Sequence, residues 1–124
     1  MREPARDITR LEHIFEAIEN IRTYAKGKSF DDLSSDKMCL HAIIYNFTII
    51  GEAANMLSHE YIELHPETPW RQIIGMRNFL VHDYQNVEVP VVWNVLENEL
   101  TFFAQQIEDG IKELADLSAY PPPH

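Results

Sequence analysis

Hydrophobic residues recur at three- and four-residue steps along much of the chain, the spacing typical of amphipathic helices. In the first such segment, apolar positions run from Ile8 to Ile21, with charged residues on the other faces. Gly27 follows this segment and marks its predicted end, because glycine readily adopts the backbone conformation that terminates a helix. The N-terminal part of the chain therefore predicts one long helix.

A second helix is predicted through MCLHAIIYNFTIIGEAANMLS, with one of Ser34, Ser35 or Asp36 as its N-terminal cap. This segment is apolar on more than one face. Helices of this kind are usually buried against several neighbours or lie at a subunit interface. We therefore expect the second helix at the centre of the assembly.

The second half of the chain predicts a short helical piece at HEYIELHP and a third long helix from about Trp70 to about His82. Residues 83–86 indicate a break. Pro90 can open a last helix, whose apolar residues keep helical spacing as far as Leu117. Since no alternating strand pattern of convincing length occurs, we predict an all-α, up-and-down bundle.

The size and composition fit one folded domain. The chain has 124 residues, of which 45% are hydrophobic and 24% charged, too apolar for a disordered chain. We assign residues 1–118 to a single helical domain and 119–124 to a Pro-rich tail. The single cysteine, Cys39, excludes a disulfide within the chain, and we expect it to be a buried structural thiol rather than a nucleophile.

Location and partners are constrained by charge and by the apolar runs. The N-terminus lacks the apolar stretch of a secretory signal, and the run AIIYNFTII is too short to span a bilayer, so we expect a cytoplasmic protein without a membrane segment. Ten Lys and Arg residues against twenty Asp and Glu give a net charge of −10. Any nucleic-acid binding is therefore expected to be local and short-range.

Titratable side chains are concentrated in RNFLVHDY, residues 77–84. On a regular helix Asn78 and His82 share one face, whereas Arg77 is turned about 140° away from His82. Arg77 and His82 could converge if the helix loosens near its end. They could also converge if two copies of the helix meet across a two-fold axis, so that each chain supplies part of one site.

Histidine and arginine together suit phosphodiester cleavage without a metal. Histidine exchanges protons near neutral pH, and arginine offers a planar cation that matches phosphate oxygens. A base could deprotonate a ribose 2′-OH for attack on the adjacent phosphorus, while a cation stabilises the developing charge. The structural alternative is that Arg77 forms a salt bridge, His82 interacts with the helix dipole, and Tyr84 packs beside Asp83.

Two further groups of polar residues give weaker signals. HEYIELH contains His59 and His65 but lacks the metal-binding spacing of HExxH, so we read it as a solvated surface and predict no metal and no cofactor. In GEAAN, Glu52 and Asn55 lie on one helix face among small residues. They are either polar groups at a tight interface or an exposed stripe.

Arg77, Asn78, His82 and Tyr84 match the R-[polar]-x3-H-x-Y pattern of HEPN-domain proteins, and the chain resembles in particular the HepT-like ribonuclease toxins (DUF86) of HEPN/MNT toxin–antitoxin pairs. The stretches IIGEAANMLS, HPETPWRQIIGMRN and VPVVWNVLENEL resemble the same family. The resemblance covers most of the chain from about Lys37 to Leu100.

This resemblance implies a HEPN bundle that forms a two-fold homodimer and acts as a metal-independent endoribonuclease on RNA. It assigns phosphate binding to Arg77, general acid/base catalysis to His82, and positioning of the phosphate or the histidine to Asn78. Glu52 and Asp83 are supporting candidates. Many relatives resemble HG[YF] where this chain has HDY, so the Asp83 carboxylate is a departure that is expected to repel RNA.

The resemblance also implies a partner, a minimal nucleotidyltransferase (MNT) antitoxin. That enzyme would transfer AMP from ATP to Tyr84, so ATP would be used only through the antitoxin. Phosphate charge on Tyr84 would then compete with RNA for the same cation. The alternative is a noncatalytic dimeric module that docks the nucleotidyltransferase or binds a nucleotide.

Overall fold

The computed structural model describes residues 4–83 and 86–119, and within them the chain forms helices and no strands. This confirms the predicted all-α class. The helices, in chain order, are α1 (Pro4–Ala25), α2 (Phe30–Ser35), α3 (Lys37–Asn55), α4 (His59–Leu64), α5 (Trp70–Asp83), α6 (Val89–Asn98) and α7 (Leu100–Ala119).

Helix α3 is central, as its apolar faces predict. It packs against α1 on one side and against α5 on another, and α2 contacts it as well. Asn20 of α1 donates a hydrogen bond to Asn46 of α3 (3.2 Å), and Asp7 near the start of α1 accepts from Ser58, just after α3. These two pairs show that α1 and α3 are antiparallel.

Local capping groups define the turn between α1 and α3. Gly27 has a positive φ of 74°, which glycine adopts without steric cost, and α1 ends two residues earlier. Asp36 caps α3 by accepting from the backbone N–H of Cys39 (3.0 Å), in agreement with the predicted cap. The short helix α2 was not expected. Ser29 and Asp32 form a reciprocal capping box at its first turn, which the sequence contains as SFDD.

Helix α5 begins at a buried aromatic anchor. The ring of Trp70 packs edge-on against Tyr61 and Phe103, and its indole N–H donates to the carbonyl of His65 (3.1 Å). From there α5 returns along α3 toward the end of the bundle where α2 and α6 meet. The helix continues through Asp83, which was expected to belong to the break.

The predicted last helix, from Pro90 to Leu117, is wrong in one respect, because the structure divides it into α6 and α7. The chain leaves helical geometry at Glu99, whose φ is −124°. Helix α6 lies against α2, where Trp93 meets Phe30 edge-on, whereas α7 packs along α1. One straight helix could not reach both neighbours, and the apolar spacing continues across the bend without marking it.

The predicted domain and tail meet near the last described residue. Helix α7 extends to Ala119, the residue assigned to the start of the tail, and residues 120–124 lie outside the described part of the chain. In the described residues, none of the helices has the length and apolar content that crossing a bilayer requires.

Candidate active site

Arg77 lies at the closest approach between α3 and α5. The backbone of Gly51 on α3 faces Arg77 so closely that a Cβ added at residue 51 would collide with the Cβ of Arg77 and would lie 3.2 Å from its Cα. A glycine in a helix interior costs about 1 kcal/mol relative to alanine, and here the contact with Arg77 explains its presence. Gly51 therefore allows α5 to place Arg77 directly against α3.

Two polar side chains hold the guanidinium group of Arg77. Nη1–H donates to Oδ1 of Asn78 (3.0 Å), and Nη2–H donates to Oε1 of Glu52 (3.2 Å). The Arg77 side chain is 31% exposed and that of Glu52 is 54% exposed, so solvent screens this ion pair. Arginine carries five N–H donors. The Nε–H of Arg77 is buried without a partner among the described residues, so the donors left for an incoming anion are the remaining N–H groups of Nη1 and Nη2.

Asn78 and His82 project from the exposed side of α5. They are one turn apart, both are exposed, and α5 remains helical beyond His82 as far as Asp83. Loosening of the helix before its end, one of the two ways to bring Arg77 and His82 together, is therefore not observed. Meeting of two copies across a two-fold axis stays a prediction.

Apolar side chains are exposed between these polar residues. Phe79 is 46% exposed and Val81 is 47% exposed. Large apolar groups next to polar functional candidates often mark a surface that another molecule covers. The last two turns of α5 thus combine an arginine, an asparagine and a histidine with an incompletely covered apolar surface.

The other residues of the motif are only partly described. Asp83 is exposed, and its Oδ1 accepts a hydrogen bond from Nδ2 of Asn86 (2.6 Å). Tyr84, the predicted acceptor of AMP, lies outside the described residues.

The structure also places the weaker candidates. The ring of His65 stacks on Tyr61, its Nδ1 lies 2.7 Å from the carbonyl of Tyr61, and its Nε2 lies 3.3 Å from Glu113. His65 therefore joins α4 to α7. Among the described residues, no three His, Cys, Asp or Glu side chains form a group that could hold a metal ion. Cys39 is half-buried, and its thiol donates to the carbonyl of Tyr24 (3.3 Å).

The sequence left two interpretations of GEAAN open, polar groups at a tight interface or an exposed stripe, and the structure gives a different answer for each polar residue. Both side chains are exposed, but Glu52 borders the tight α3–α5 contact through its bond to Arg77, which is the interface role, whereas Asn55 fits the exposed stripe. The sequence interpretation missed Gly51, the residue that makes this contact possible. The available signal was a glycine inside an otherwise strongly helical segment, which usually has a packing reason.

An all-α bundle with Arg77, Asn78 and His82 on one helix is the arrangement expected of a HEPN-type protein. The family model described as "Ribonuclease HepT-like" matches residues 14–109, more than three quarters of the chain. The chain belongs to this family, as its resemblance indicated.

Relatives with curated names agree with this membership. The chain is 39% identical over 90 residues to a protein named "Probable ribonuclease HepT" from Thermococcus cleftensis, covering 73% of this chain and 82% of that protein. It is 34% identical over 103 residues to a protein named "Putative RNase" from Caldanaerobacter subterraneus subsp. tengcongensis, covering 83% of this chain and 92% of that protein. No solved structure matches the chain.

Proposed function

We propose that this protein is a metal-independent endoribonuclease whose site is formed by Arg77, Asn78 and His82 of α5 from two copies of the chain. The observation that supports this proposal most directly is the way in which Arg77 is held. Gly51 brings α5 against α3, and Glu52 and Asn78 orient a guanidinium that still has free donors. Such a fixed planar cation suits a phosphodiester.

The chemistry assigned to these residues is attack of a ribose 2′-oxygen on the adjacent phosphorus. His82 accepts the 2′-OH proton, the bond from phosphorus to the 5′-oxygen breaks, and a protonated histidine returns a proton to that oxygen. His82 of the partner subunit could supply this second role. Arg77 stabilises the charge on the nonbridging oxygens, and the products carry a 2′,3′-cyclic phosphate and a 5′-hydroxyl.

A homodimer would complete the site. Within one chain, Arg77 and His82 leave α5 about 140° apart, and only the guanidinium of Arg77, bonded to Asn78, reaches toward the face of His82. A second copy is proposed to supply the groups that one chain does not bring together. The exposed Phe79 and Val81 beside them offer apolar surface for the contact between copies. Each composite site would then combine groups from both chains.

The test is RNA cleavage in EDTA by purified protein whose intact mass shows no modification. Wild type should generate 2′,3′-cyclic phosphate ends, and Arg77→Ala and His82→Ala should each lower the rate by at least about 100-fold. Matched controls are His59→Ala, an exposed histidine on α4, and Arg22→Ala, an arginine of α1 paired with Glu19. Both controls should cleave like wild type.

The proposal is wrong if folded, dimeric, unmodified wild type cleaves none of several RNAs, or if the Arg77 and His82 variants are as active as wild type. Circular dichroism and size-exclusion chromatography of each variant separate loss of chemistry from loss of fold.

Glu52 is assigned a positioning role through Arg77. A glutamine at this position can still accept a hydrogen bond from the guanidinium, whereas an alanine cannot. Glu52→Gln should therefore retain most of the cleavage rate that Glu52→Ala loses. If Glu52→Gln and Glu52→Ala cleave RNA at equal rates, Glu52 does not position Arg77 through this hydrogen bond.

We further propose that the protein is the toxin of a pair with a minimal nucleotidyltransferase antitoxin that transfers AMP to Tyr84. Phosphate on a residue two positions after His82 would add negative charge and bulk near the site. Coexpression with such an enzyme and ATP should add AMP to wild type but not to Tyr84→Phe, and the modified protein should lose cleavage. If AMP is added to Tyr84 and the cleavage rate does not change, the proposed regulation by the antitoxin is wrong.

A second candidate function is a noncatalytic dimeric module that docks the nucleotidyltransferase. The net charge of −10 and the exposed Asp83 carboxylate beside His82 favour it, because both oppose RNA binding. In that case His82→Ala changes neither RNA nor growth, and only substitutions of Tyr84 alter modification.

A further inference from the structure

Helix α5 carries almost none of the negative charge of this acidic protein. The whole chain has ten Lys and Arg residues against twenty Asp and Glu. Helix α5 contains Arg71, Arg77 and His82, and its only acidic residue is Asp83, the last residue of the helix. The helix that carries the candidate active site is therefore locally cationic. A local surface of this kind can hold a nucleic acid although the protein as a whole repels it.

Three polar side chains lie in a line along the exposed face of α5. On a regular helix Arg71 projects within about 20° of both Asn78 and His82. All three residues are exposed. Gly75 lies between Arg71 and Asn78, and a Cβ added there would meet nothing within 4 Å. No side chain therefore interrupts the line, and we call Arg71, Asn78 and His82 the polar stripe of α5.

The other side of α5 is apolar. It borders a cleft of about 370 Å³ that opens beside the bend at Glu99 and is lined on α5 by Ile73 and Met76, among others. Arg71 and Asn78 each project about 170° away from the midpoint of those two positions on a regular helix. The polar stripe thus faces away from the cleft. It faces the side to which the guanidinium of Arg77 turns, since that group donates to Asn78 (3.0 Å).

Arg71 has no partner within the described part of the chain. No hydrogen bond or ion pair joins it to another described residue, whereas Arg77 pairs with Glu52. Arg71 also stands in the first turn of α5, which begins at Trp70, and the helix dipole disfavours a cation there. Neither an ion pair nor helix stability explains this arginine. Its donors are exposed and can bind an anion from outside the chain.

The spacing of the two arginines suits two phosphates of one strand. Arg71 and Arg77 are six residues apart, which is about 9 Å along α5, and the polar stripe extends about 16.5 Å from Arg71 to His82. Grooves that bind single strands place cations along the backbone in this manner. Phe79 and Val81, the proposed contact between copies, lie on the C-terminal side of Arg77. That contact would leave Arg71 uncovered.

We propose that Arg71 binds a second backbone phosphate of the RNA strand whose scissile phosphate is held at Arg77. This inference rests on the proposed ribonuclease function and adds to it the path of the substrate, which runs from His82 along the polar stripe toward the start of α5. The contact is independent of base sequence, because it is made to phosphate and not to a base. It requires an RNA with more than one phosphodiester.

The test measures binding without cleavage. The full chain, as wild type and as Arg71→Gln, is titrated with a fluorescent single-stranded octamer of 2′-O-methyl RNA, which has no 2′-OH to attack phosphorus. Anisotropy is recorded at several salt concentrations. For a single strand the slope of log K against log salt is about −0.7 for each phosphate that the protein neutralises. Arg71→Gln should therefore have a slope shallower by about 0.7, and should bind about three- to tenfold more weakly at low salt.

Two further variants separate this contact from net charge. Arg71→Lys keeps the positive charge and should keep the wild-type slope. Arg22→Gln is the matched control, because it removes the same charge from α1, where Arg22 pairs with Glu19. It should also keep the wild-type slope. Arg71 is exposed, so Arg71→Gln should unfold like wild type, which thermal denaturation checks.

The proposal is overturned if Arg71→Gln keeps the wild-type slope, if Arg22→Gln makes the slope equally shallow, or if wild type does not bind the octamer. Failure of the ribonuclease proposal gives a different result. In that case the slope depends on Arg71, which supports the contact, yet wild type does not cleave unmodified RNA of the same sequence. Cleavage that requires Arg77 and His82, together with a slope that does not depend on Arg71, overturns the Arg71 contact alone.

Discussion

Helix α3 makes two contacts of different character. Toward α1 it contributes to a continuous apolar core, in which residues such as Ile14, Ile18 and Ile43 are fully buried. Toward α5 it also packs against apolar residues such as Leu80, but there Gly51 and Glu52 in addition meet a single arginine, Arg77. The first contact is close-packed hydrocarbon, and the second adds to its apolar packing a tight backbone approach bordered by a partly exposed ion pair.

The difference indicates how stability and chemistry are divided in the molecule. Substitution of buried hydrocarbon costs transfer free energy and leaves a cavity, whereas an exposed ion pair adds little to stability. The α1–α3 contact should therefore determine the free energy of unfolding. The α3–α5 contact should chiefly determine where Arg77 points.

The largest expected effect on stability is in the α1–α3 core. Ile18→Ala should lower the free energy of unfolding by about 2–5 kcal/mol, because Ile18 is fully buried. Val91→Ala, at a residue 59% exposed on α6, should change it by no more than about 0.5 kcal/mol. Chemical denaturation measures both. Similar losses for the two variants would contradict the assignment of the core.

Gly51→Ala should have the next largest effect. The added Cβ would collide with the Arg77 side chain next to the backbone of α5, and overpacking of this kind costs about 1–3 kcal/mol. We also expect Gly51→Ala to lower RNA cleavage, because α5 must move.

Gly75→Ala is the matched control for Gly51→Ala. It introduces the same change on α5 where no atom lies within 4 Å, and should raise stability by about 0.5–1 kcal/mol. If Gly51→Ala and Gly75→Ala both raise the free energy of unfolding, the inferred close approach between Gly51 and Arg77 is incorrect.

Glu52→Gln should lower stability by less than about 1 kcal/mol, because the ion pair with Arg77 is partly exposed. Any loss should shrink at 1 M salt, where charges are screened over about 3 Å. Denaturation at low and high salt checks this. A larger, salt-independent loss would mean that Glu52 supports packing rather than charge.

The smallest effect is expected at α2. The hydrogen bond from the backbone N–H of Ser29, and secondly the contact with its hydroxyl, hold the pKa of Asp32 below its ordinary value of 3.8. A carboxyl with a lowered folded-state pKa stabilises the fold above 3.8 and loses that contribution as the pH falls through the folded-state pKa.

An NMR titration of the Asp32 carboxyl should therefore have a midpoint below 3.8. Ser29→Ala removes the hydroxyl and should move that midpoint upward, toward the ordinary value. An unchanged midpoint in Ser29→Ala would leave the shift to the backbone hydrogen bond alone.

Much of the fold could be predicted from the chain. The end of α1, the Asp36 cap of α3 and the start of α5 follow from a terminating glycine, a capping residue and proline, which act within a few residues. The helix α2 and the bend at Glu99 were missed. In the first case a six-residue helix is too short to show periodicity, and in the second the apolar spacing passes through the bend unchanged.

For the candidate site, too, some features could be predicted from the sequence and others could not. The sequence by itself determined the residue types of the motif and the angular separation of Arg77 from His82, because both follow from spacing on one helix. Only the tertiary structure decided that Gly51 admits Arg77 to α3, that Glu52 rather than Asn55 binds its guanidinium, and that the bend at Glu99 opens a cleft. These contacts join residues distant in the chain, and their geometry depends on how whole helices pack, which local patterns do not encode.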